Sequence, residues 1–338
     1  MVVKTVIMIG GLFGPYALIL SGILPGWAML SCCVLMGVAM AGIGFSVSHD
    51  ALHGAYTDNP RINTAIGMTF DLLGASSYMW KITHNVIHHT YTNIHGVDED
   101  LEVSPLLRLS PHAERRPWQR FQHLYAPLAY SLSTLNWLFV KDFDYFSRRR
   151  LGPYLDKHHS PGAIALMLGS KLFSIFWMIV LPLLVLPVAW YWVILGFLVV
   201  HLVGGFILGV IFQLAHVVEQ TSYPVPDDIG DMPNGWLVHE MLTTANFCVD
   251  NRLLTWYVGG LNHQIEHHLF PKTCSVHYPS VSRIVRSTAE EHGIPYHLNA
   301  TLASAVGNHL RMLKRLGREE QPQSASSPAG VPLVRATQ

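Results

Sequence analysis

Long uncharged runs alternate with polar, histidine-rich stretches along this chain. Thr5 to Leu24 and Trp27 to Ser48 carry no charged residue. Each is long enough to cross the roughly 30 Å hydrocarbon core of a bilayer. Only Pro25-Gly26 separates them, a turn dipeptide that predicts a helical hairpin. Gly162 to Ala215 is a second apolar block, interrupted by Lys171 and His201 alone. It is too long for one span, and it breaks near Pro187 into two. The predicted spans are 5–24, 27–48, 164–186 and 188–213. Lys171, near the start of the third, is expected to snorkel toward the interface. His201 lies mid-span, where an interhelical hydrogen bond is the expected role.

Two further segments are borderline. Leu124 to Val140 is uncharged but short for a span, and Thr64 to Trp80 carries Asp71 near its middle. An odd number of crossings between His89 and His263 would put the histidine clusters on opposite sides, so Leu124 to Val140 is read as an interfacial helix, and Thr64 to Trp80 is given the same reading. The predicted fold is all-α: four transmembrane helices in two hairpins, interfacial helices, and a helical cap from 49–161 and 214–315. Residues 1–315 form one domain. From 316 to 338 the chain is rich in Glu, Gln, Pro and Ser and reads as a disordered tail.

Charge supports this and orients it. Of 338 residues 50% are hydrophobic and 13% charged, against about 25% charged in soluble domains. The formal net charge is zero, so no nucleic-acid footprint is visible. Basic residues crowd the 49–161 segment, including Arg148-Arg149-Arg150, while the short connections at Pro25-Gly26 and Pro187 have none. By the positive-inside rule the cap faces the cytoplasm, of a bacterial inner membrane in preference to the endoplasmic reticulum. The arginine run reads as an anchor of that orientation, or as a dock for an acidic electron donor or anionic lipid. Four scattered cysteines make neither a disulfide framework nor a zinc motif.

The chemistry lies in three histidine clusters beside the spans: His49-Asp50-Ala51-Leu52-His53, His84-Asn85-Val86-Ile87-His88-His89 and His263-Gln264-Ile265-Glu266-His267-His268. Imidazole binds metal as a neutral ring, and by softness it suits iron, zinc, copper or nickel. A lone HxxxH is weak evidence, but two HxxxHH clusters in one chain are not a chance expectation. On an α-helix i and i+4 share a face, so His84 and His88 are expected to bind one ion together, with His89 leaning toward a second. Asp50, Asn85 and Glu266 are positioned to accept ring N–H bonds and orient the histidines. Asp98-Glu99-Asp100 reads as a solvated loop.

Together HDALH, HNVIHH and GGLNHQIEHHLFP resemble the three histidine boxes of the integral-membrane fatty acid desaturases. Gln264-Ile265-Glu266-His267-His268-Leu269-Phe270-Pro271 resembles the front-end, linoleoyl-CoA-like branch, and smaller echoes occur at Trp80, Thr90-Tyr91-Thr92-Asn93 and Thr244-Ala245-Asn246-Phe247. The resemblance implies two non-haem irons, O2 as co-substrate and a fatty acyl substrate on coenzyme A, a carrier protein or a lipid. It implies His49, His53, His84, His88, His89, His267 and His268 as ligands, with His216 just after the fourth span. No catalytic residue is expected beyond the ligands. Either Gln264 or His263 completes the third box; the family's glutamine matches Gln264. No HPGG haem motif of a cytochrome b5 domain is present, so a separate ferredoxin or cytochrome b5-type donor is implied. Rival readings are a hydroxylase, ketolase or acetylenase on the same boxes, or a metal transporter or bis-histidine haem carrier. A transporter would set ionisable ligands at mid-bilayer, where only His201 falls.

Overall fold

The computed structural model describes residues 1–101, 105–155 and 158–319. Four helices are long and apolar enough to cross a membrane: α1 Val2–Leu20, α2 Gly26–Leu52, α3 Pro161–Val185 and α4 Trp190–His216. The chain is an integral membrane protein. The expected hairpins form. Helix α1 stops at Leu20, four residues short of the expected end, where Gly22 adopts φ 69° and turns the chain toward Pro25, the N-cap of α2. Helix α3 starts at Pro161, whose fixed φ suits a first turn, with the Ser160 hydroxyl accepting from the Ala163 N–H.

Helix α2 packs along both α1 and α4, and small residues on α2 permit the close approach. A Cβ on Gly37 would sit 2.7 Å from the Val200 carbonyl oxygen of α4. The core between the spans is built from Met8, Leu12, Met36, Met40, Phe197 and Val200. Among the described residues neither borderline segment forms a helix long and apolar enough to cross a membrane. Gln122–Ser131 and Ser133–Asn136 are short helices laid against α4, with Leu124 and Leu128 exposed. The 64–80 segment breaks into Pro60–Gly67, Thr69–Leu72 and Ser77–Trp80. His201 hydrogen-bonds Thr134 of this layer, Nδ1 to Oγ1 at 3.1 Å.

Lys171 does not snorkel. It is buried and turns inward, donating to Asp142 at 2.5 Å and to the carbonyls of Gly74 and Trp137 at 2.6 and 2.9 Å. The cap brings a carboxylate and two carbonyls over that turn of α3, so partners lie nearer than water. After α4 the cap adds α5 Gln264–Leu269, α6 Tyr278–Glu291 and α7 Leu302–Leu316. A two-residue parallel pairing, Asn246–Phe247 with Leu298–Asn299, joins them. Residues 316–319, placed in the expected tail, are among the described residues. Leu316 is buried at the end of α7, and Arg108 donates to the Leu316 and Glu319 carbonyls. From 320 onward the tail lies outside the described residues.

Candidate metal centre

Helix α2 carries His49 in its last turn with His53 just beyond it, α4 ends at His216 on the same side of the spans, and the loops between return the other boxes to that level. Helix α2 loosens into a π turn at Gly44–Ser48 just before His49, and box two lies on a second, Lys81–His88. The wider turn alters the geometry expected from α spacing. The His89 N–H reaches the His84 carbonyl at 3.1 Å, an i to i+5 bond that brings His89 over His84. The three rings of box two therefore share one side, with His89 4.9 Å from His84 and 5.8 Å from His88 between ring centroids.

The eight histidines implied by the boxes and α4 converge. His49, His53, His84 and His267 offer ring nitrogens within 4.8 Å of one another, and so do His88, His216 and His268. His89 stands between the sets, 4.7 Å from His53, 4.6 Å from His267 and 4.4 Å from His268. His84 and His88 fall in different ones of these two sets and come together in a third, with Asp100. In that third set their Nδ1 atoms face the Asp100 carboxylate.

Every one of these rings is buried. The Nε2 atoms of His53, His84, His88, His89, His216, His267 and His268 find no hydrogen-bond partner among the described residues. A buried polar atom left unpaired is costly, so a set this large fits metal ions that it would coordinate. Burial pushes His53, His84, His89, His267 and His268 well below the ordinary histidine range, reinforced by the neighbouring rings. Neutral rings are what a metal needs. For His88 burial also pushes downward, but the adjoining Asp98 and Asp100 outweigh it and the net shift is upward.

The outward Nδ1 atoms are held by groups that the sequence analysis did not assign to the histidines. His88 faces Asp98 at 3.1 Å, His84 faces Asp100 at 3.3 Å, His268 faces Glu240 at 2.8 Å and His267 faces the Tyr278 hydroxyl at 3.1 Å. Asp98 is fully buried, so the acidic stretch after box two is no solvated loop. Glu240, pushed up to about 8 by burial, also accepts from Thr92. Conversely, the three box neighbours have other partners. Asp50 accepts from Ser275, Asn85 donates to the Leu52 carbonyl, and Glu266 accepts from Asn246 and Tyr296. Those contacts fasten box one to the segment before α6 and box three to the paired strand. On a short helix, immediate sequence neighbours of an inward-facing residue point elsewhere.

The echo residues act as clamps. Asn93, at φ 60°, gives its side-chain amide to the carbonyls of His216, Ser222 and Thr243. Asn246 accepts from the Ile265 N–H at the start of α5. Gln264 and His263 part ways at that point. Gln264 lines an apolar cavity of about 460 Å³ together with His49 and His84, and its Oε1 has no partner among the described residues. His263 precedes α5 and lines a different cleft. The cavity runs from the histidines between α4, at Leu208, Gly209 and Phe212, and the interfacial layer at Tyr130, Leu135 and Trp137. Gly44 lines it, whereas Gly42 packs on Met8 and Gly37 on α4.

Residues 25–300 match the profile of the family described as fatty acid desaturase. The chain belongs to the fatty acid desaturase family. The sn-1 linoleoyl-lipid 6-desaturase of Synechocystis sp. is 35% identical over 322 residues, spanning 94% of this chain and 89% of that protein. The protein of the same description from Arthrospira platensis is 33% identical, spanning 94% and 85%. An acyl-lipid (8-3)-desaturase of Physcomitrium patens is 34% identical over 328 residues, spanning 95% of this chain and 67% of its own length. This desaturase is accordingly an oxidoreductase of fatty acyl chains, with a lipid environment and a buried histidine centre suited to metal.

Proposed function

We propose that this desaturase introduces a double bond into an acyl chain esterified to a membrane glycerolipid, using two non-haem irons, O2 and a separate electron donor. The observation that carries the reading is the apolar cavity that ends on His49, His84 and Gln264. The named relatives that act on linoleoyl-lipid and acyl-lipid support a lipid-borne chain over acyl-CoA or an acyl carrier protein. His49, His53, His84 and His267 would hold one ion, and His88, His216 and His268 the other, with His89 between them. Gln264 faces the cavity beside the first set, and His263 takes no part.

The two irons would supply the redox chemistry that an unactivated C–H bond requires. One saturated CH2–CH2 unit, O2, two electrons and two protons give one CH=CH unit and two waters. The protein's part is placement. Leu208, Phe212 and Trp137 hold the methylenes dry, and the buried rings keep water from the centre. Electrons would come from a ferredoxin or cytochrome b5-type protein on the cytoplasmic side of a bacterial inner membrane. Expression in a host fed defined fatty acids, with lipid extraction and mass spectrometry, tests the reading. A lipid-linked product two mass units lighter is expected; a product sixteen units heavier would make the chain a hydroxylase.

A further inference from the structure

A second cleft, of about 850 Å³, lies on the opposite side of the box-three wall from the acyl cavity. Consecutive residues divide the two: Leu261 and Gln264 face the acyl cavity, Gly260 and His263 face the cleft. Its walls come from the start of α1, the helix Arg252–Tyr257 and the first turns of α6. Lys4, Arg252, Arg283 and Arg286 line it, and Asp250 is the one carboxylate among the described lining residues. Arg286 is shared with exposed Glu290 at 3.0 Å, while Arg252 and Arg283 are exposed and have no ion pair among the described residues.

Two features make this more than a basic patch. His263 is 2% exposed at the back of the cleft, and neither ring nitrogen has a hydrogen-bond partner among the described residues; its nearest carboxylate, Glu266, stands at 3.9 Å. The N-terminus of the fourteen-residue helix α6 also borders it through Pro279 and Ser280; Pro279 has no N–H and Tyr278 donates to the Ser275 carbonyl, so Ser280 carries the first amide left at the positive dipole end. Met1, Val3 and Lys4, at the start of a candidate membrane span, line the cleft, which points to a position near the bilayer edge. Tyr257 of the same short helix donates to the Val38 carbonyl within α2, leaving Leu253 75% exposed beside half-exposed Trp256. A basic concavity at the level where a span meets water, rimmed by exposed apolar side chains, matches the chemistry of a phospholipid.

We propose that this cleft binds the phosphate headgroup of a membrane phospholipid, with Arg252, Arg283 and Lys4 contacting the phosphate, the α6 N-terminus supporting it and His263 donating from behind. The site is separate from the acyl cavity and does not depend on the desaturation chemistry. The lipid's acyl chains would run down past Leu253 and Trp256 into the bilayer.

The test uses the full chain purified in detergent, with phosphatidylglycerol as the probe and native mass spectrometry as the readout. One tightly held phosphatidylglycerol per chain is expected, and diacylglycerol should not replace it. The Arg252→Gln/Arg283→Gln variant should bind about 30-fold more weakly, from about 1 kcal/mol per basic residue at a membrane surface. Both arginines are exposed, so iron content and thermal stability should stay at wild-type values in that variant. His263→Phe, which fills the back of the cleft, should weaken phosphatidylglycerol retention independently. Inorganic phosphate at millimolar concentration should compete only weakly; competition as strong as the lipid's would place the ligand in the cytosol and overturn the membrane source. Unchanged lipid retention in both variants would overturn the site. Loss of donor-driven turnover with no lipid bound to the wild type would assign the cleft to a redox partner instead.

Discussion

The Nδ1 of His88 lies 3.1 Å from both carboxylate oxygens of Asp98, a fully buried pair at the heart of the centre. The same carboxylate accepts the N–H groups of Asn93 and Asp100, so its position is set by the backbone that follows box two. The ring is thereby turned so that Nε2 faces His216 and His268.

Removing that carboxylate should loosen the metal rather than unfold the chain. Asp98→Ala is expected to weaken metal retention 10- to 100-fold, the usual cost of losing a ligand's outer partner, with Asp98→Asn in between. Competition with a chelator, followed by elemental analysis, reads this directly. Wild-type retention in Asp98→Ala would mean that the contact does not orient His88.

Glycines of α2 should separate into two classes. Gly44 lines the acyl cavity, with a new Cβ 3.1 Å from Leu208. Gly44→Ala should alter which chain lengths are converted while metal is retained. Gly37→Ala instead meets the backbone of α4 at 2.7 Å and should cost about 1–3 kcal/mol of stability, with chain preference unchanged. Product profiles and thermal melting in detergent distinguish the two.

Lys171 and Asp142 form a buried ion pair that fastens the interfacial layer to α3. Lys171→Met leaves the Asp142 carboxylate buried without its cation and should destabilise by about 3–5 kcal/mol. Lys171→Met/Asp142→Leu should recover most of that loss, because it removes both charges. A double variant no better than the single one would place the stabilisation in the bonds from Lys171 to Gly74 and Trp137 instead.

His309 supplies a pH dependence away from the metal. Its Nδ1 donates to the Val217 carbonyl at 2.7 Å, and its Nε2 accepts from Tyr130 at 2.8 Å, an arrangement suited to the neutral ring. Burial pushes it down to about 4. The unfolded chain, titrating near 6.5, then binds a proton that the folded chain refuses between those values. This contribution is intact above pH 6.5 and falls by about 3 kcal/mol as the pH drops to 4. Melting curves of wild type and His309→Gln across that window should converge toward low pH; parallel curves would contradict the shift.

The sequence showed the spans, the one-sided centre and the three boxes clearly, because each rests on long apolar runs or on repeated histidine spacing. Two things stayed hidden. The π turns that bring His89 over His84 depend on packing, and an HxxxHH pattern reads the same on either helix type. The outer partners were hidden for a related reason. Asp98 and Glu240 reach their histidines from 10 and 28 positions away, whereas local reading favoured the adjacent Asp50, Asn85 and Glu266. Glu240 does leave a trace: it is a carboxylate in the apolar segment Trp236–Thr243 of a sparsely charged chain.

Metal content tests most directly the proposal that the eight histidines hold a pair of irons. Protein purified without chelator and assayed for turnover should carry iron near two equivalents per chain. Full activity with one iron per chain, or stoichiometric zinc in an active preparation, would contradict it.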